Sequence, residues 1–197
     1  MNYCVKIYVK ERQLKKIEIP LNESPVASPG VPVYLISTIS SEGINNIAPY
    51  GMVMPVSYQP LIYAVGSDKN RDTYQNILET KEFVLNVPST KLLDKVNLSA
   101  VKFPANIDEF KKIGLTRKPA FQVKSSLIDE CRSHIECKLS ELYEINSTRV
   151  IILGEVLSVS IDREFYLKDF SKQKGRLDPL FYVHGDYFGI GRYVGKR

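Results

Sequence analysis

Residues 67–76 read Ser67-Asp68-Lys69-Asn70-Arg71-Asp72-Thr73-Tyr74-Gln75-Asn76. Tyr74, Ile77 and Leu78 stand at i, i+3 and i+4, which predicts an amphipathic helix entered through a polar turn. Ser67, Arg71 and Thr73 then fall just before and inside its first turn. Backbone N–H groups there lack partners, and the positive end of the helix dipole favours phosphate. An arginine and a hydroxyl at the same end add a charge-assisted cradle. The plainer alternative is that Asp72 or Thr73 only caps the helix.

Two other constellations attract chemical readings. Cys131-Arg132-Ser133-His134-Ile135-Glu136-Cys137 sets a histidine three residues from each of two cysteines. Cys131, Ile135, Cys137 and Leu139 share one parity, however, and Arg132, His134, Glu136 and Lys138 the other. That is the alternation of a half-buried strand, with His134 facing away from both cysteines, and three ligands are too few for a structural metal. We read the cysteines as a buried pair and assign no metal. Gly189-Ile190-Gly191-Arg192-Tyr193-Val194-Gly195 suggests a dinucleotide fingerprint, but its third glycine is one residue late and only two residues follow. No helix can start there.

Composition limits the alternatives. The chain has 197 residues, 44% hydrophobic and 25% charged, with Gly 11 and Pro 11, as expected of one globular domain over 1–197. The longest aliphatic run, Val150-Ile151-Ile152-Leu153, is too short for a helical membrane span. The start, Met1-Asn2-Tyr3-Cys4-Val5-Lys6, lacks the apolar core of a signal peptide, so a cytoplasmic protein is expected. With Cys4 the cysteines number three, an odd set that such a compartment keeps reduced. Net charge is +5, spread over small groups such as Lys15-Lys16, Lys111-Lys112, Arg117-Lys118 and Lys172 to Arg176. No strand interleaves these with aromatics, so nucleic acid is not an expected partner.

Tyr 12, Phe 8 and Trp 0 point to strands. Strands are predicted at Tyr3 to Val9 continuing through Ile17 and Ile19, at Val33–Ile39 ending at Gly43, at Leu61–Gly66 and at Phe83–Val87. Strand patterns also dominate Phe121 to Ile161. Ser24–Pro32, with three prolines, reads as an ordered loop without regular structure, and Gly43–Pro55 as poorly periodic. Short helices are predicted over Thr90–Asn97 and Ile107–Ile113, the latter stopped by Gly114. The fold class is mainly β with short helices (α+β): a β-barrel or closed sheet crossed by a few helices, with 1–24 as an N-terminal strand extension and 25–193 as the core.

In order along the chain stand Pro32-Val33 to Thr38, Gly43 with Asn46-Ile47-Ala48-Pro49-Tyr50, and Pro60-Leu61. Arg71-Asp72-Thr73 with Asn76-Ile77 and Glu82-Phe83-Val84-Leu85-Asn86 follow. Asp108-Glu109-Phe110, Ile135-Glu136-Cys137, Gly154-Glu155-Val156 and Asp178-Pro179-Leu180 complete the series. This ordered set resembles the flavin reductase-like, FMN-binding split-barrel (flavoredoxin-like) family. The resemblance implies a homodimeric split β-barrel with FMN near the dimer interface. It implies ring contacts from Asn46, Ala48, Pro49, Tyr50 and Gly51, and phosphate contacts from Arg71 and Thr73, with Ser67 and Asn76 as further candidates. The activity implied is electron transfer from NAD(P)H through FMN to flavin, ferric ion or another small acceptor. The alternative is a non-catalytic FMN protein that passes electrons to a partner protein. Many members carry a histidine where this chain has Arg149, an arginine being suited to an anion and a poor proton donor. Arg149 and His184 are the catalytic candidates.

Overall fold

Apolar runs become the inner strands of one antiparallel sheet. The computed structural model describes residues 16–166, 176–191 and 194. The strands expected at Val33–Ile39, Leu61–Gly66 and Phe83–Val87 are β2 (Tyr34–Ile39), β5 (Leu61–Asp68) and β6 (Glu82–Val87). With β3 (Asn45–Tyr50), β4 (Val53–Tyr58), β9 (Ser133–Glu144) and β10 (Arg149–Ile161) they form a seven-stranded sheet in the order β3-β2-β6-β9-β10-β5-β4.

That order dictates the shape. β3 and β4 are the two edges, yet only Gly51 and Met52 join them. In a flat sheet six gaps of about 4.8 Å would hold them roughly 29 Å apart. A two-residue link reaches only about 11 Å, so the sheet must roll until its edges meet. A hydrogen bond across the interior shows that it does: the Tyr50 hydroxyl on β3 lies 2.9 Å from Ser67 Oγ on β5. No ladder joins β3 to β4 among the described residues, so the barrel is split rather than closed as the sequence reading allowed.

The split explains two strands that periodicity missed. Pro49 and Pro55 make 43–55 read as irregular, but both prolines lie on edge strands. The Ile47 N–H points away from β2, so position 49, two residues on, also faces outward and its missing N–H costs no ladder bond.

Barrel filling comes from Ile36, Val65, Phe83, Leu85, Cys137 and Ile152, closed at one end by Tyr74 and Ile77 of α1 (Asp72–Thr80). A second core lies outside the barrel wall. Leu35 and Ile47 pack there on Val96 of α2 (Leu93–Ser99) and on Phe110 and Ile113 of α3 (Glu109–Ile113), which ends on left-handed Gly114 at φ 73°. Short pairings complete the fold: β7 (Arg117–Lys118) with β8 (Leu127–Ile128), and a three-stranded sheet of β1 (Val31–Pro32), β11 (Phe181–Val183) and β12 (Asp186–Phe188).

Several expectations require correction. Ser24–Pro32 holds the end of a 3-10 turn (Leu21–Ala27) and β1, while Ile17 and Ile19 lie in chain without regular structure. The strand expected over Tyr3–Val9, and Cys4, lie outside the described residues. Residues 121–126 form no strand. The start of β9 is buried on both faces from His134 to Cys137, not half-buried, because the chain of residues 121–128 crosses the outer wall there: Glu136 accepts the Phe121 and Gln122 N–H groups, and His134 and the Ile128 N–H share Asn86 Oδ1. Cys131 precedes the strand and belongs to the outer core, Cys137 to the barrel interior. They are therefore not a pair, and burial pushes both thiols up. Among the described residues no helix is long and apolar enough to cross a membrane.

Candidate functional site

Two unfinished hydrogen-bond ladders face each other at one end of the barrel: the outer edge of β3 and the N-terminus of α1. Between them lies a cleft of about 300 Å³ lined by Asn46, Ile47, Ala48, Arg71, Thr73 and Glu109 among others. Asp68, Asn70, Asp72, Lys102 and Phe103 complete much of its wall.

The loop into α1 is tightly built. Asp68 Oδ1 accepts the Asn70 N–H (2.9 Å) and the Asp68 carbonyl accepts the Arg71 N–H (3.2 Å). The Lys69 N–H donates to the Thr148 carbonyl and Lys69 Nζ reaches Glu144, which ties the loop to the β9–β10 hairpin. Arg71 is the N-cap residue and makes no side-chain cap, so the first-turn N–H groups of Asp72 and Thr73 have no capping acceptor. The simple-cap alternative is not what the chain does.

Thr73 is 1% exposed, and its hydroxyl donates to Asn46 Oδ1 at 2.9 Å. It therefore orients Asn46 and offers the cleft its backbone N–H rather than its side chain. Asn76 donates to Thr38 Oγ1 (3.0 Å) and lines an adjoining cleft of about 440 Å³ instead. Alternation along β3 divides the predicted ring contacts: Asn46, Ala48 and Tyr50 share a face, and Pro49 has the parity of Ile47, which packs in the outer core. Tyr50 and Ser67 bond one another across the barrel, and burial pushes the Tyr50 hydroxyl up. Gly51 faces neither cleft; a Cβ there would stand 2.7 Å from Val31 Cγ2, so close packing requires glycine.

Arg149 opens β10 opposite Asp68 in register, with Nη2 4.0 Å from Asp68 Oδ2. It therefore stands beside Asp68, which lines the cleft, and does not itself line it. His184 sits at φ 47° in the β11–β12 turn and lines a separate groove with Gly30, Val31 and Tyr182.

Glu109 is the residue that sequence reasoning left without a role. Its carboxylate accepts the Ile47 N–H at 2.7 Å, and it lines both clefts at 6% exposure. Burial pushes its pKa up to about 7, with Asp72 and Asp108 adding to the rise. A signal was present: Glu109 stands four residues before Ile113, on the face that the helix buries. Lys102 and Phe103, in chain without helix or strand periodicity, carried none.

A flavin reductase-like domain is matched over residues 28–191. A protein of uncharacterised function from Methanothermobacter thermautotrophicus is 38% identical over 160 residues, 79% of this chain and 76% of that one. The fold is similar to flavoredoxin of Desulfovibrio vulgaris (Miyazaki F), with TM-score 0.81 and 24% identity over 91% of this chain and 97% of that one. Nitrilotriacetate monooxygenase component B from Bacillus cereus gives TM-score 0.83 at 20% identity, with 92% and 98% covered. The chain belongs to the flavin reductase-like family, and its class is that of flavin-related oxidoreductases with a split-barrel fold.

Proposed function

We propose that this chain binds FMN in the cleft between β3 and α1 and passes electrons from NAD(P)H through it to a small acceptor such as flavin or ferric ion. The observation that carries this reading is the uncapped α1 N-terminus, with Arg71 beside it, facing an open strand edge. Two N–H groups, a dipole and a guanidinium suit a phosphate. The open edge of β3 and the Asn46 amide, held by Thr73, suit the polar rim of a planar ring. The donor set therefore fits FMN, with Arg71 and the Asp72 and Thr73 N–H groups on phosphate and Asn46, Ile47 and Ala48 along the ring. Bound FMN would supply hydride and single-electron chemistry, and the protein binding, orientation and electrostatics. Arg149, beside Asp68, would meet an anionic part of the donor or acceptor.

One observation favours the non-catalytic electron-transfer reading: among the described residues neither histidine lines the cleft. Anaerobic addition of NADH or NADPH to the FMN-loaded protein separates the two. Bleaching selects the oxidoreductase; a flavin that stays oxidised selects the carrier. Protein that takes up no FMN would remove both.

A homodimer is part of the proposal. Edge strand β4 exposes Met54, Val56 and Tyr58, the last 78% exposed, and β10 exposes Leu157 and Val159. A second copy covering this face would shield an open, apolar edge that soluble chains otherwise avoid.

A further inference from the structure

We propose that Glu109 is the proton-uptake group of this cleft: an anionic ligand seated beside Arg71 binds together with a proton on the Glu109 carboxyl. The inference rests on the flavin reading above and goes beyond it, because it assigns a role to a residue outside the predicted site.

The geometry places the carboxyl without a counter-ion. Among the described residues no cation lies within ion-pair distance of Glu109. From α1, Asp72 faces it; on its own helix, Asp108 caps the first turn. Arg117 lies 3.6 Å from Asp108 Oδ2. Arg71 and Lys102 line the same cleft, together with Asp68, which Arg149 approaches. Glu42 and Glu79 line the adjoining cleft, Glu79 being held by the Ser41 N–H and hydroxyl. Glu109 is thus a buried acid among acids. Burial and the like charges of Asp72 and Asp108 oppose the carboxylate and win over the hydrogen bonds from the Ile47 N–H and the Asn46 side chain, which favour it.

A carboxyl balanced this way responds to any further negative charge. A phosphate in the shared cleft raises its proton affinity again, so binding and protonation are linked. The ligand phosphate behaves oppositely: its second ionisation lies near about pH 6, and a cationic cradle prefers the dianion, so it releases a proton. The two effects have opposite sign and separate by pH.

The test is FMN binding to the apo protein, read as flavin fluorescence from roughly pH 6.5 to pH 9, with calorimetry in buffers of different ionisation enthalpy. The wild-type dissociation constant should weaken about threefold to tenfold above about pH 7. Near pH 7.5 roughly a quarter to a half of a proton should be taken up per FMN. Glu109→Gln should bind FMN with no such weakening and no uptake. FMN binding without uptake by the wild type overturns the proposal and leaves the flavin reading intact. A wild-type profile retained in Glu109→Gln also overturns it. Absence of FMN binding at every pH removes both. If the variant fails to fold, calorimetry on the wild type alone decides.

Discussion

His134 and Glu109 should almost cancel in the acid stability of the apo protein, and either substitution should expose the other. His134 is 4% exposed, with Nδ1 3.0 Å from Asn86 Oδ1. The Asn86 amide nitrogen donates to the Leu35 carbonyl and to Ser37 Oγ, so Oδ1 is the acceptor and His134 Nδ1 carries the hydrogen. Burial holds the ring neutral and lowers its pKa from 6.5 to about 4. Its stabilisation is complete above about pH 6.5 and is lost as pH falls towards 4. Glu109 runs the other way, raised from 4.5 to about 7. Its contribution is complete below about pH 4.5 and is lost as pH rises through 7. Between about pH 4.5 and 6.5 the slopes are near +1.4 and −1.4 kcal/mol per pH unit, about 3 kcal/mol each over the interval. Urea unfolding across this range measures them. Wild-type stability minus that of His134→Gln should rise with pH by about 3 kcal/mol, and wild type minus Glu109→Gln should fall by a similar amount. Three parallel profiles would refute both the burial argument and the neutral assignment of His134.

Other expectations follow from the same contacts. Arg71→Ala should raise the FMN dissociation constant about fivefold to thirtyfold, because an exposed charge-assisted contact contributes roughly 1–2 kcal/mol. Riboflavin, which lacks the phosphate, should bind the variant as it binds the wild type; equal losses would place the phosphate elsewhere. Gly154→Ala should cost about 1–3 kcal/mol in urea unfolding. A Cβ there would stand 2.9 Å from Phe83 Cε1 and 3.1 Å from Cys137 Cβ, and an unchanged midpoint would show that the ring yields freely. Met54→Lys combined with Tyr58→Lys should shift light-scattering mass from dimer to monomer without unfolding the protein, since both side chains are exposed within one copy. A mass unchanged by the pair would move the interface away from β4.

What could be read from the sequence was whatever depends on near neighbours. β2, β5 and β6 are apolar runs with turn residues at their ends, and α1 declares itself through Tyr74, Ile77 and Leu78. The α1 N-terminus that the proposal gives to a phosphate was legible for the same reason, being one turn of one helix. The burial of Glu109 was signalled by its spacing to Ile113, but its proton affinity was not, because that depends on Ile47, 62 residues away, and on Asp72 in another element. β3 and β4 failed for a more instructive reason. A proline counts against a strand only where the missing N–H would have bonded a neighbour, and on an edge strand every second N–H faces away from the sheet and bonds none. Whether a strand is an edge is a property of the whole sheet, here of a seven-strand order whose ends are consecutive in the chain. The same open edge that makes Pro49 harmless also leaves the outward carbonyls of β3 without a strand partner, while the Ile47 N–H is taken by Glu109. The residue that hid the strand from periodicity therefore marks where the sheet stops, and the cleft lies where the sheet stops.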